Sequence, residues 1–140
     1  MSPLLAMLAA GSLAHADIRP MLREQGFDSQ LNGREQITYA GHIRQGRNDY
    51  QVYVYRGDFR AAAVDHGVNS IIVILNGSTF LGRYALGLPT ECQIRGQRVI
   101  CRTEGPRCPG IIEFTTRGPP AEIWFACDVL HFEFGSWAKH

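Results

Sequence analysis

Glu91-Cys92-Gln93-Ile94-Arg95-Gly96-Gln97-Arg98-Val99-Ile100-Cys101-Arg102 is the stretch that decides how this chain folds. Two short runs flank Gly96-Gln97, and glycine at the first central position of a two-residue loop favours a type II′ turn between antiparallel strands. Such a loop fixes the register. With Arg95 opposite Arg98, Ile94 faces Val99, Gln93 faces Ile100 and Cys92 faces Cys101. Pairs alternate outward from a hydrogen-bonded pair beside the loop, so the cysteines fall on a non-hydrogen-bonded pair, where side chains approach most closely. That separation suits a disulfide.

Hairpin signals recur on both sides of this stretch. Ile37 to Arg44 and Tyr50 to Arg56 read as a hairpin about residues 45–49. Val52 and Val54 lie on one face, and Tyr39, Tyr53 and Tyr55 on the other, where a phenol can cover neighbours and still reach water. Ile71 to Leu75 is an unbroken apolar run of β-formers and predicts a strand buried on both faces. Asn76-Gly77 is a strong hairpin signal and hands the chain to Thr79 to Leu86. Asn76-Gly77-Ser78 is also a glycosylation sequon, read here as a turn. Ile111 to Arg117 predicts another strand, ended by Gly118-Pro119-Pro120, after a Gly- and Pro-rich loop over 103–110.

The last apolar stretch, Ala121 to Phe134, tests the register. As one straight strand it would put Ile123 and Phe125 opposite Leu130, Phe132 and Phe134, whereas a tight reversal at Cys127-Asp128 pairs Ile123 with Phe132 and Phe125 with Leu130. The reversal keeps the apolar set on one face. Asp17 to Gly26 predicts a short helix, with Asp17 as cap, Pro20 in the first turn and Gly26 as terminator. Asp58 to His66, before Gly67, reads as a second helix, with a strand through Ala61 to Asp65 as the competing reading. Arg56-Gly57-Asp58 spells a tripeptide that integrins recognise, but Gly57 and Asp58 are ordinary turn and cap residues. Together these signals predict a mainly β fold, a small antiparallel barrel or sandwich built of hairpins with one or two short helices.

At 140 residues the chain has the length of one domain. Its first sixteen residues differ from the rest: Pro3 to Leu13 is apolar or small, and Ala14-His15-Ala16 has the small-x-small form of a signal-peptidase site, although no Lys or Arg precedes the apolar run. The expectation is a signal peptide over 1–16 and a single disulfide-bonded β domain over 17–140, with a buried N-terminal helix as the alternative. No transmembrane segment is expected after cleavage. Four cysteines without a Cys-x-x-Cys spacing fit two disulfides in an exported domain better than zinc or thioredoxin-like chemistry. If Cys92 pairs with Cys101, Cys108 is left for Cys127. Thirteen of the fourteen basic residues are Arg, with Lys139 the exception, a bias that suggests a GC-rich bacterial genome. The location expected is therefore the periplasm or the medium.

A net charge of +1 gives no global argument for nucleic acid or membrane as a partner. Nor does any motif name a reaction: there is no G-x-S-x-G, no H-E-x-x-H and no Gly-rich loop between a strand and a helix. A hydrolase would have to recruit Asp65-His66 with Ser78, or His131 with Glu133 and Asp128. His42, His66 and His131 have no spacing that recommends a metal, and no cofactor is implied. The better signal is electrostatic. Arg95 and Arg98 lie directly opposite, and like charges there destabilise unless something offsets them. An exposed arginine pair at a disulfide-locked tip could clamp a carboxylate or phosphate; Glu91 or Glu104 could instead neutralise it.

The sequence thus favours a non-catalytic exported binding module for an envelope component or protein partner, with a small secreted hydrolase using His66 or His131 as the alternative. Protein recovered from periplasm or medium should begin at Asp17 and be four hydrogens lighter than its reduced form. Intact mass with and without reduction checks both, and an uncleaved, reduced chain would remove the basis for export.

Overall fold

The structure, a computed structural model, describes residues 17–26, 35–57, 69–87, 90–103 and 108–135. The expected signal peptide over 1–16 and the element expected over Asp58 to His66 lie outside the described residues. Among those described, a helix α1 (Arg19–Glu24) precedes nine strands. They are β1 (Gln36–Gln45), β2 (Asn48–Arg56), β3 (Asn69–Leu75), β4 (Thr79–Leu86), β5 (Cys92–Arg95), β6 (Arg98–Cys101), β7 (Gly110–Glu113), β8 (Glu122–Phe125) and β9 (Asp128–Phe134). All pairings are antiparallel, in a six-stranded sheet ordered β1-β2-β3-β4-β9-β8 and a three-stranded sheet ordered β5-β6-β7. The sheets do not close into a barrel; they face each other as a sandwich.

The cysteine hairpin has the expected register, with Cys92 opposite Cys101 and Arg95 opposite Arg98. Gly96 takes a φ of 61° and Gln97 does not take a positive φ, as a type II′ turn requires. Both expected disulfides are formed, Cys92 to Cys101 across β5 and β6 with a Cα separation of 4.0 Å, and Cys108 to Cys127 with one of 5.0 Å. This is the chemistry of an oxidising compartment. No helix among the described residues is long and apolar enough to cross a membrane.

Ile71, Ile72, Val73 and Ile74 are all buried, so β3 is covered on both faces. Ile71 and Val73 look toward the small sheet. They pack with Tyr50, Val52, Tyr84 and Phe132 from their own sheet and with Val99, Ile112 and Phe114 from or beside the other. Ile72 and Ile74 look the opposite way and pack with Tyr53, Tyr55 and Phe80 against Ile18 and Leu22 of the helical segment. Each such aliphatic side chain contributes about 1.5–3 kcal/mol on leaving water.

The helix corrects the expectation for the tyrosines. Tyr53 and Tyr55 share a face as read from the alternation, but that face is not wet: Tyr55 is 0% exposed and Tyr53 nearly so. A six-residue helix is marginal in isolation. Here Asp17 Oδ1 accepts from the Arg19 backbone N–H at 3.1 Å, Leu22 is buried in the sheet, and Arg19 Nε donates to the buried carboxylate of Glu35 at 3.2 Å. An alternating strand pattern cannot reveal a helix laid over its second face.

Three loops also depart from the expected boundaries. Residues 46–47 alone join β1 to β2, so the hairpin is tighter than a 45–49 turn. The strand expected to run from Ile111 to Arg117 stops at Glu113. There Phe114 N–H turns to the Gln97 carbonyl, and Thr115 and Gly118 exchange two backbone hydrogen bonds of 2.9 Å, closing a turn. The reversal before β9 lies at Ala126-Cys127, one residue earlier than expected, pairing Ile123 with Leu130 and Phe125 with Asp128. Partners shift by two, which preserves the faces, and Phe125 and Phe132 still join the core. Ala126 and Cys127 both take positive φ, 50° and 68°, a backbone that the bridge to Cys108 helps to hold.

Two outcomes follow from this packing. Replacing both Cys92 and Cys101 by Ser should cost about 2–4 kcal/mol in a denaturant titration while the far-ultraviolet spectrum stays native, because a hairpin bridge constrains mainly the unfolded chain. Burial also pushes the Tyr55 phenol from 10.0 up to about 12, and Tyr84 upward as well. The native state therefore keeps protons that the unfolded chain surrenders near pH 10, so stability is full below that pH and falls as pH climbs toward 12. Unfolding midpoints at successive alkaline pH values, with phenolate absorbance as a second readout, check the sign.

Candidate anion-binding site

Three turns meet at one end of the sandwich. The β1–β2 turn is Gly46-Arg47, the β5–β6 turn is Gly96-Gln97, and the third is the Thr115–Gly118 turn after β7. Gln97 joins the first two, its Nε2 donating to the Arg44 carbonyl at 3.1 Å and its Oε1 accepting from Gln45 Nε2 at 2.5 Å. It joins the third through its own carbonyl, which accepts the Phe114 N–H at 2.9 Å. Beneath them Tyr50 and Phe114 meet edge to face at 5.4 Å. Gly118, at φ 102°, passes so close over Tyr50 that a Cβ there would fall 2.7 Å from the phenol oxygen. Only glycine fits that position.

Five arginines lie on or beside these turns: Arg47 and Arg117 within the first and third, Arg44 near the end of β1, and Arg95 and Arg98 on either side of the second, and all five are exposed. Arg98 Nε donates to Glu113 Oε1 across β6 and β7 at 2.8 Å, so its offsetting carboxylate is Glu113. Glu91 lies instead 3.9 Å from Arg102, and Glu104 and Arg107 are outside the described residues. Arg95 has no ion pair among the described residues. The arrangement offers several guanidinium groups, each able to bind a carboxylate or phosphate through two parallel N–H donors, on backbone tied down by hydrogen bonds.

Among the described residues, His131 does not meet the carboxylates that the hydrolase reading recruits. His131 Nδ1 is 3.7 Å from Glu122 Oε2, whereas Glu133 lies 3.7 Å from Arg83 and Asp128 Oδ1 accepts its neighbour's backbone N–H. His66 and Asp65 are outside the described residues. One association is absent from the sequence reading: His42 Nδ1 is 2.7 Å from Asp49 Oδ1, and Gln51 Nε2 donates to Asp49 Oδ2 at 2.6 Å. It is an exposed group on the strand next to the arginine-bearing turn. The signal that could have found it is the register of a two-residue β1–β2 loop, which sets His42 opposite Gln51 and Arg44 opposite Asp49. Among the described residues no group of His, Cys, Asp and Glu is disposed to hold a metal ion. Among the described residues, those lining a cleft formed by Gln36, Thr38, Arg56, Thr90 and Glu91 include no histidine.

Compared with protein-family models, curated proteins and solved structures, the chain matches none.

Proposed function

We propose that this is an exported, non-catalytic binding module, working in the periplasm or the medium, whose arginine-bearing end holds an anionic polymer of the cell envelope. The observation that carries the reading is the convergence of Arg44, Arg47, Arg95, Arg98 and Arg117 on three hydrogen-bonded turns, with Glu113 paired to only one of them. A polymer with repeated carboxylate, sulfate or phosphate groups can meet several guanidinium groups at once, and each contact adds to avidity without new shape complementarity. Rigid turns lessen the ordering cost of such binding. The two disulfides support the compartment.

The reading is tested with heparin and with vesicles containing an anionic lipid as probes. Binding to heparin should weaken steeply between low and physiological salt, as exposed charges are screened within about 8–10 Å. Replacing Arg44, Arg47, Arg95 and Arg117 together by Gln should abolish it, while Arg95→Gln alone should weaken it. Arg98→Gln should in addition lower stability slightly, by about 0.2–1 kcal/mol, because it removes the exposed pair with Glu113. Binding unchanged in the fourfold variant, or insensitive to salt, would remove this function from the turns. Turnover on a broad substrate panel that disappears in His131→Ala would favour the hydrolase.

A further inference from the structure

We propose that the cleft between the sheets, at the end of the sandwich opposite the three turns, binds a small α-amino acid as its zwitterion; this site is independent of the anion-binding reading. Along most of its length the inner face of β1, β2 and β3 is apolar, with Ile43, Tyr50, Val52, Ile71 and Val73 in the core. Its last row is not. Gln36, Arg56 and Asn69 stand opposite one another across the three strands. Arg56 and Asn69 lie two residues from Val54 and Ile71, so the period of two puts them on the same inward face. Polar groups turned inward require partners. Among the described residues the Arg56 guanidinium has neither an ion pair nor a hydrogen bond, and Asn69, only 2% exposed, carries a side-chain oxygen that no donor meets.

The opposing wall of the cleft carries the complementary charge. Glu91, just before β5, lines it together with Arg56. Its carboxylate lies 3.9 Å from Arg102 and does not pair with Arg56. Glu91 and Arg102 are both exposed, so their contact holds the carboxylate loosely. A cation and an anion thus face one cleft from two different sheets without closing on each other. Thr38 adds a hydroxyl to the lining, and buried Val54 and the Cys92–Cys101 bridge add apolar surface.

These groups select a ligand by its chemistry. The guanidinium of Arg56 can take a carboxylate through two parallel N–H donors. Asn69 Oδ1 and the Glu91 carboxylate are acceptors and require a donor, which an ammonium on the adjacent carbon supplies to both. Cross-strand neighbours such as Arg56 and Asn69 stand about 4.5–5.5 Å apart at Cβ, a spacing that two groups on one α-carbon can bridge. A simple anion would satisfy Arg56 but would bring negative charge against Asn69 Oδ1 and Glu91; a simple amine would leave Arg56 unmatched. The cleft volume of about 310 Å³ is at the small end for ligand sites, which favours a short side chain lying on Val54 and the bridge.

The probes are glycine and both enantiomers of alanine, with propionate and ethylamine as the two halves of the zwitterion. Titrated into the disulfide-intact protein from micromolar to millimolar concentration, at least one amino acid should shift the Arg56 Nε–H and Asn69 side-chain amide resonances. It should bind about tenfold or more tightly than propionate or ethylamine. Arg56→Gln should weaken it by about tenfold or more. Glu91→Gln should weaken it severalfold while leaving propionate no weaker, because only the ammonium contact is lost. Asn69→Leu replaces the orphaned amide by an apolar group of similar size, so the unfolding midpoint should hold or rise while amino-acid binding falls. Three outcomes would overturn the proposal: no resonance of the cleft moved by any of the amino acids, propionate bound as tightly as alanine, or amino-acid binding unchanged in both Arg56→Gln and Glu91→Gln.

Discussion

Four successive buried residues, Ile71 to Ile74, impose a condition on everything around β3: a strand that leaves no face to water requires a cover on each side of its sheet. Neither cover is large. The small sheet consists of three strands of four residues, and α1 has six. Apolar burial attracts both to the central sheet but does not orient them, and each is secured by directional contacts. The small sheet is bridged internally by Cys92–Cys101 and tied by Cys108–Cys127 to the β8–β9 loop, while hydrogen bonds through Gln97 hold its other end to β1. The helix depends on Leu22 for burial and on the Arg19 pair with buried Glu35 for position. Removing either partner of that pair is not equivalent, because Glu35 is the buried one and would be left as an uncompensated charge.

What could be read from the sequence follows the range of the interaction responsible. The Cys92–Cys101 register is set by a two-residue loop and period-two alternation, both local, and was legible to the residue. The double burial of β3 was legible from four consecutive β-branched residues. The wet face assigned to Tyr53 and Tyr55 was not, because what dries it is a helix distant in sequence. Ala126-Cys127 was missed as a turn because neither residue favours positive φ; the pairing of β9 with β4 and the bridge to Cys108 override local preference there.

The arginine-bearing end lies between these cases. Its individual parts were visible: Arg47 follows Gly46, Arg95 precedes Gly96 and Arg117 precedes Gly118, so three arginines each adjoin a turn glycine. That the three turns meet was not visible, since contacts between residues 45, 97 and 114 close the intervals. The opposed pair Arg95 and Arg98 looked like an isolated repulsion within one hairpin. In the folded chain it is one part of a larger cationic end, and β7 supplies Glu113 to relieve one member of the pair.

An overall charge of +1 therefore conceals a separation of charge. At the three turns five arginines stand against Asp49 and Glu113, a local excess of three, which leaves the rest of the chain at minus two. Dispersed evenly, these charges would do little beyond keeping the surface hydrated. Gathered on turns cross-linked by Gln97 and resting on Tyr50, they produce a directional field, and like-charge repulsion among them is a cost the fold carries in the absence of a partner. That cost is tolerable because the guanidinium groups are exposed and screened, and because the backbone beneath is held by hydrogen bonds that do not involve the charges. Under the proposed function, an anion arriving at this end would remove that repulsion in addition to making its own contacts, without any movement of the strands.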